Sequence, residues 1–237
     1  MGGTFTRFLA RRGPLLLVVA VAAGPATQPA DWGAADAGTP SDLIDGWTKG
    51  GRAPPDEGSI VIRDGRKWLR LDPLAAQGGA SILEVARKAP VDAAGGVEAV
   101  VEILFVDPRP VAPAGDVLVM LRSADGKQRY QLNVGPGQLM LGMLRGEKFH
   151  PQPGVAVPVA APGTPVRVRL RLDVRGGDHV LSAYVADAVE PAVTATFAAA
   201  APDAGPLDLA GGVRLALGVQ NGFAAEFTGA DLRPLTP

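Results

Sequence analysis

Residues 164–175 read TPVRVRLRLDVR, with arginine at 167, 169, 171 and 175 and an aliphatic side chain at 166, 168, 170, 172 and 174. A period of two belongs to a β-strand, whose successive side chains point to opposite faces. The aliphatic parity is expected in a core and the basic parity in water. Residues two apart on a strand lie about 6.8 Å from each other, so the four arginines span about 27 Å. Residues 96–105, GVEAVVEILF, repeat the pattern: Val97, Ala99, Val101 and Ile103 share one side, and Glu98 and Glu102 the other. These acids are placed to stand across from the basic row. Each such cross-strand pair contributes only about 0.2–1 kcal/mol, so the row reads as a solvated surface. An anionic-ligand site is the competing reading.

The rest of the chain supports a protein of short strands. It has 237 residues, 47% hydrophobic and 20% charged, an ordinary globular balance. Gly 31 and Pro 22 are spread along it, a density of breakers that long helices do not tolerate. Asp64-Gly65 separates SIVIR (59–63) from RKWLRL (66–71), the two-residue signal of a hairpin that pairs Arg63 with Arg66 and Val61 with Trp68. DVLVMLR (116–122) turns through Ser123-Ala-Asp-Gly126 into QRYQLNV (128–134), and GQLMLGML (137–144) follows. The arginine strand turns at Gly176-Gly177-Asp178 into VLSAYV (180–185), and the last strands are expected at 212–219 and 225–233. The segments near 106–115, 146–164 and 187–211, rich in Pro or Ala, are expected to be loops. Together these elements predict an all-β, two-sheet antiparallel sandwich.

The N-terminal residues read as an address. Arg7, Arg11 and Arg12 precede a short apolar run, PLLLVVAVAA (14–23), and Ala20-Val-Ala22 or Gly24-Pro-Ala26 supplies a cleavage site. The run is about half the length that a membrane-spanning helix requires, so residues 1–26 are expected to be a cleaved signal peptide forming a signal helix, with a retained anchor as the alternative. The expected destination is the periplasm or the exterior. No cysteine is present, so the chain is not an acylated lipoprotein and has no disulfide to staple it. Removal of residues 1–26 leaves 20 basic against 24 acidic side chains, a poor balance for nucleic acid or an anionic membrane as partner. Residues 27–45 are small, polar and aperiodic and are expected to be a linker, leaving 46–237 as one domain.

The order of landmarks resembles a known superfamily. Asp45-Gly-Trp47 comes first, then Ile62-Arg-Asp-Gly65, then Val117-Leu-Val-Met-Leu-Arg122 with Asp125-Gly126 and Tyr130-Gln-Leu132. The hairpin Val168–Val174, Gly176-Gly177, Leu181-Ser-Ala-Tyr-Val185 and the close Gly212–Leu215, Gln220-Asn-Gly222, Glu226–Leu235 complete the series. These are similar to concanavalin A-like lectin/glucanase jelly rolls, nearest to laminin G-like domains and the 3-keto-disaccharide hydrolase type over residues 43–237. The resemblance implies two curved sheets whose concave face often holds a glycan, and it allows a structural calcium with Asp125 or Asp231 contributing. Two features depart from it. Pro165-Val166 replaces a tryptophan, and the paired-carboxylate strand of the glucanases has no match. No catalytic residue is carried over.

The chemistry left open by the residues is narrow. His150 and His179 are the only histidines, too few for a zinc site without several carboxylates. No nucleophile elbow or phosphate-binding glycine loop is present. Glu98 and Glu102 are about 13 Å apart along one strand, whereas glycoside cleavage usually needs carboxylates separated by about 5 Å or somewhat more. Aromatic platforms and planar hydrogen-bonding groups suit a sugar. Trp68 lies between Arg66 and Arg70, Arg122 and Tyr130 flank the connection where the resemblance places a groove contact, and Gln131 follows. The expected function is an exported, non-catalytic carbohydrate-binding module that reads glycan on the concave sheet with Trp68, Arg122, Tyr130 and Gln131. A keto-disaccharide-type hydrolase and a structural or adhesion domain are the alternatives.

Overall fold

The computed structural model describes residues 32–51, 58–72, 82–107, 116–135, 137–157, 163–201, 205–220 and 223–235. The expected signal peptide, 1–26, lies outside the described residues. Among the described residues, fifteen strands form two antiparallel sheets. The eight-stranded sheet runs β1 (Trp47–Gly51), β4 (Ile82–Arg87), β14 (Val213–Gln220), β6 (Val117–Ser123), β7 (Gln128–Gly135), β8 (Gln138–Arg145), β10 (Val155–Ala156), with β9 (Lys148–Pro151) also paired to β8. The seven-stranded sheet runs β13 (Val193–Phe197), β12 (Asp178–Val185), β11 (Val166–Arg175), β5 (Gly96–Asp107), β15 (Ala224–Pro234), β3 (Arg66–Leu71), β2 (Gly58–Arg63). A three-residue 3-10 turn, Ser41–Leu43, is the one helical piece among the described residues.

Period-two patterning drives this assembly. Val166, Val168, Leu170 and Leu172 face the interior and register against Ile103, Val101, Ala99 and Val97 of β5. The opposite parity places Arg167 across from Glu102 and Arg171 across from Glu98. The Asp64-Gly65 hairpin forms as expected, Val61 opposite Trp68, with both turn residues at positive φ (49° and 74°). Aspartate tolerates that backbone region better than most residues, and glycine adopts it without steric cost.

Several expectations need correction. The segments expected to be loops carry β9, β10 and β13. β13 alternates Val193, Ala195 and Phe197 inward with Thr194 and Thr196 outward, an alternation hidden in Ala-rich surroundings. β4 was not foreseen, because Leu83, Glu84, Val85 and Ala86 are all buried and erase the polar/apolar contrast on which period-two reading depends. The expected linker is docked over residues 32–45. Trp32 and Ile44 are core residues, Trp32 lies 5.0 Å from Trp47 ring to ring, and the Ile60 backbone exchanges hydrogen bonds with Gly38 and Thr39. Two large apolar side chains suffice to anchor an otherwise small and polar stretch.

Between the sheets, Tyr130 of β7 reaches across to β12. Its hydroxyl lies 2.7 Å from Nδ1 of His179 and accepts the Leu207 N–H at 3.0 Å, while its ring packs 4.9 Å from Phe197. Burial pushes the Tyr130 phenol above its ordinary range, the bond from Leu207 and the charge of Arg145 opposing. Burial likewise lowers the His179 pKa, with Asp178 pulling the other way.

Two outcomes test this architecture. Leu170→Ala should cost about 2–5 kcal/mol in urea unfolding, whereas Arg167→Ala on the facing parity should change stability by about 0.5 kcal/mol or less. Because the His179 pKa is depressed in the folded state, the unfolded chain protonates first as pH falls. Stability should therefore decline as pH drops through about 6.5, and the decline should level off below the folded pKa. Urea midpoints across that window should fall less in His179→Gln than in the unaltered protein.

Candidate functional site

The two sheets carry different chemistry on their outward faces. On the seven-stranded sheet the arginines of the central strands are paired with acids. Glu226, fully buried, accepts from Arg63 Nη2 at 2.9 Å with Arg70 at 3.9 Å; Glu102 holds Arg66 at 2.5 Å; Glu98 holds Arg233 at 2.5 Å and Arg169 at 3.6 Å. Arg171 grips Asp173 of its own strand with two bonds of 2.8 and 2.9 Å. The basic row that decided the fold is thus a closed ion-pair surface. Trp68 belongs to it at 3% exposure, with the Arg66 guanidinium 5.3 Å from its ring centroid.

The outward face of the eight-stranded sheet is built otherwise. Core-facing Leu121, Tyr130, Val213, Leu215, Leu141 and Met143 fix the parity, which turns Arg214 of β14, Arg122 of β6, Arg129 of β7 and Leu144 of β8 outward. Register places Arg214 opposite Arg122, Arg122 opposite Arg129, Arg129 opposite Leu144, and Leu144 opposite Phe149 of β9. Five adjacent strands spaced about 4.8 Å apart make this a row of about 19 Å, and each of its members is part-buried and part-exposed. Phe149 lies flat on the face because Gly142 leaves it room. A Cβ there would stand 2.5 Å from two ring carbons of Phe149.

Beneath and beside this row the face is closed. Leu118, Met120 and Ala216 are fully buried and form a small apolar cluster with Ala86 and Ile82. Glu84, 2% exposed, accepts from Arg122 Nη1 and, at 3.4 Å, from Arg129 Nη1. Arg122 also donates to the Gly126 carbonyl at 2.6 Å. A chain of side-chain bonds braces Arg129 from the other end. Its Nε donates to Gln131 Oε1 (2.8 Å), Gln131 Nε2 to Asn133 Oδ1 (2.7 Å), and Asn133 Nδ2 to Asp116 Oδ2 (2.8 Å), an oxygen that also accepts from Gln220 Nε2 (2.9 Å). Burial lowers the Arg129 pKa, Glu84 opposing this and neighbouring Arg122 reinforcing it.

The four residues singled out from sequence do not stand together. Arg122 and Gln131 share the outward face of the eight-stranded sheet, Tyr130 is fully buried between the sheets, and Trp68 is on the far side of the sandwich. Gln131, at 4% exposure, positions Arg129 rather than presenting itself. Sequence reading passed over Arg129, Arg214, Phe149 and Glu84. The first two were legible from parity, since Arg129, Gln131 and Asn133 alternate with core-facing Tyr130 and Leu132. The other two lie in strands not foreseen. Asp125 and Asp231, named for calcium, do not converge: Asp125 caps the β6–β7 turn, taking Ser123 Oγ at 2.6 Å and Lys127 N–H at 3.0 Å, and Asp231 is on β15 of the other sheet. Among the described residues no group of three or more His, Asp or Glu side chains is placed to hold a metal ion.

Comparison with known proteins bears on the fold. No protein-family model matches the chain, and no curated protein does. Solved structures do. An endo-beta-1,4-glucuronan lyase from the fungus Trichoderma reesei is similar at TM-score 0.56 and 11% identity, over 84% of this chain and 94% of the other. The metal-free carbohydrate recognition domain of Emp46p is similar at TM-score 0.50 and 10% identity, over 86% of this chain and 96% of that one. A Bacillus subtilis carbohydrate-binding module, CBM66, aligns at TM-score 0.49 and 16% identity, over 79% and 95% of the two chains. The sandwich is a concanavalin A-like jelly roll.

Proposed function

We propose that this chain is an exported, non-catalytic carbohydrate-binding module, and that glycan lies along the row from Arg214 through Arg122 and Arg129 to Phe149. One observation carries the reading: an aromatic ring and three guanidinium groups stand half-buried in a single row across five strands, on a face where Gln131, Asn133, Asp116 and Gln220 are already bonded to one another. A pyranose offers an apolar C–H face, which packs on an aromatic ring, and a rim of hydroxyls, which accept from planar N–H donors. Bracing by Glu84 and by the Gln131–Asn133–Asp116 chain holds two of those donors in place before any ligand arrives, which lowers the entropic cost of binding. Likeness in fold to the Emp46p carbohydrate recognition domain is in keeping with this use of the sandwich.

A hydrolase would need two free carboxylates facing each other across a bond. On this face the acids are Glu84, held by two arginines, and Asp116, held by two amides. Glu84 is on β4 and Asp116 immediately precedes β6, with β14 between those two strands, and both are nearly inaccessible. That arrangement favours binding over cleavage. Export rests on the leader expected at residues 1–26.

A broad glycan array should give binding that falls at least tenfold in Phe149→Ala and in Gly142→Ala, the latter because its methyl displaces the ring. Trp68→Ala, on the opposite sheet, should bind as the unaltered protein does. Incubation with the bound glycan should release no new chain ends. Retention of binding in both Phe149→Ala and Gly142→Ala, with melting curves showing folded protein, overturns the placement; new chain ends overturn the non-catalytic assignment.

A further inference from the structure

Resting on that reading, the charge of the row points to the class of glycan. Arg214, Arg122 and Arg129 are in direct cross-strand register, so their Cα atoms lie about 4.5–5.5 Å apart from neighbour to neighbour. Like charges placed directly opposite are destabilising. Among the described residues a single carboxylate, Glu84, serves the row, and it reaches Arg122 and Arg129. Arg214 has no hydrogen bond or ion pair among the described residues, and its Nε, like that of Arg122, is buried without a partner. The contrast with the seven-stranded sheet is sharp, since there Arg63, Arg66, Arg70, Arg169, Arg171 and Arg233 all hold an acid. Three guanidinium charges with one counter-charge leave a surplus at the Arg214 end, half-shielded from water.

We propose that Arg214, with Arg122 beside it, forms a subsite for an oxyanion substituent on the glycan, so that the module selects acidic saccharides over neutral ones. A carboxylate or sulfate accepts two parallel N–H bonds from one guanidinium, a geometry that a hydroxyl cannot match. Such a group would supply the counter-charge that the fold itself does not place at Arg214. A lone arginine merely covering the β14 backbone predicts no such selectivity.

The test compares ligands that differ in the anionic group alone: oligoglucuronate against the same chain with its carboxyls reduced, and dextran sulfate against dextran. Titration calorimetry at about 0.05 M and 0.3 M salt should show the acidic member of at least one pair bound tenfold or more tightly than its neutral counterpart, with affinity weakening as salt rises. Preference confined to the first pair assigns a uronic acid, and preference confined to the second a sulfate. Arg214→Gln should abolish the preference while melting at the same temperature or higher, because it relieves repulsion in the row. Arg167→Ala, in the ion-paired surface opposite, should keep it. Equal affinity for acidic and neutral members overturns the subsite and leaves the glycan-binding reading standing, whereas absence of binding to every ligand here and on the array overturns both. Persistence of the preference in Arg214→Gln, or a lower melting temperature for that variant without ligand, also overturns the assignment.

Discussion

Two neighbouring residues on a strand cannot share a face, and the rest of this molecule follows from that constraint. On β7 it sends Tyr130 into the interior, where its hydroxyl ties β7 to His179 and to the chain at Leu207, and sends Arg129 and Gln131 to the outside. A slip of one residue would exchange the two sets, burying guanidinium groups against Phe197 and exposing the core. The hydrophobic interior therefore fixes which polar groups meet on each outer surface, before any ligand is considered.

On those surfaces the fold has solved the same problem twice with different results. The seven-stranded sheet distributes acids among its arginines so that its arginines meet an acid locally, and Glu226, fully buried, is tolerated because two arginines reach it. The eight-stranded sheet concentrates its basic residues instead. Glu84 is the hub there: it is nearly inaccessible and depends on both Arg122 and Arg129, so removal of either would leave a buried charge short of partners. The small residues beside it, Gly218 and Ala216 on β14, keep this part of the face low. Met120 uses the space, its methyl 3.2 Å from where a Gly218 Cβ would stand.

Where alternation was strict, the sequence was enough. The inward and outward parities of β11 and β5, the Asp64-Gly65 hairpin and the surface role of the arginines at 167–175 could all be read without coordinates, because each depends on neighbours in sequence or on a period of two. β4 could not, since a strand buried on both faces loses its contrast, and β9 could not, since four residues ending in proline resemble a loop. The candidate site draws on both of these, through Glu84 and Phe149. Its register across five strands depends on the pairing of β14 with β6, two segments far apart in the chain. Tyr130 illustrates the opposite error: the family resemblance drew attention to it, while plain parity already put it on the other side from Arg129 and Gln131.

The docked stretch at residues 32–44 does more than fill space. β1 and β2 are the outermost strands at the same end of the two sheets, and this stretch touches both: Trp32 packs on Trp47 of β1, while Gly38, Thr39 and Pro40 bond along β2 at Ser59 and Ile60. It acts as a selvedge that stops the weave from fraying where unpaired backbone would otherwise invite a second molecule to add strands. A shortened version starting at residue 46 would lose the core side chains Trp32 and Ile44 and present that bare margin to its own copies, so that self-association in concentrated solution would accompany its lower melting point.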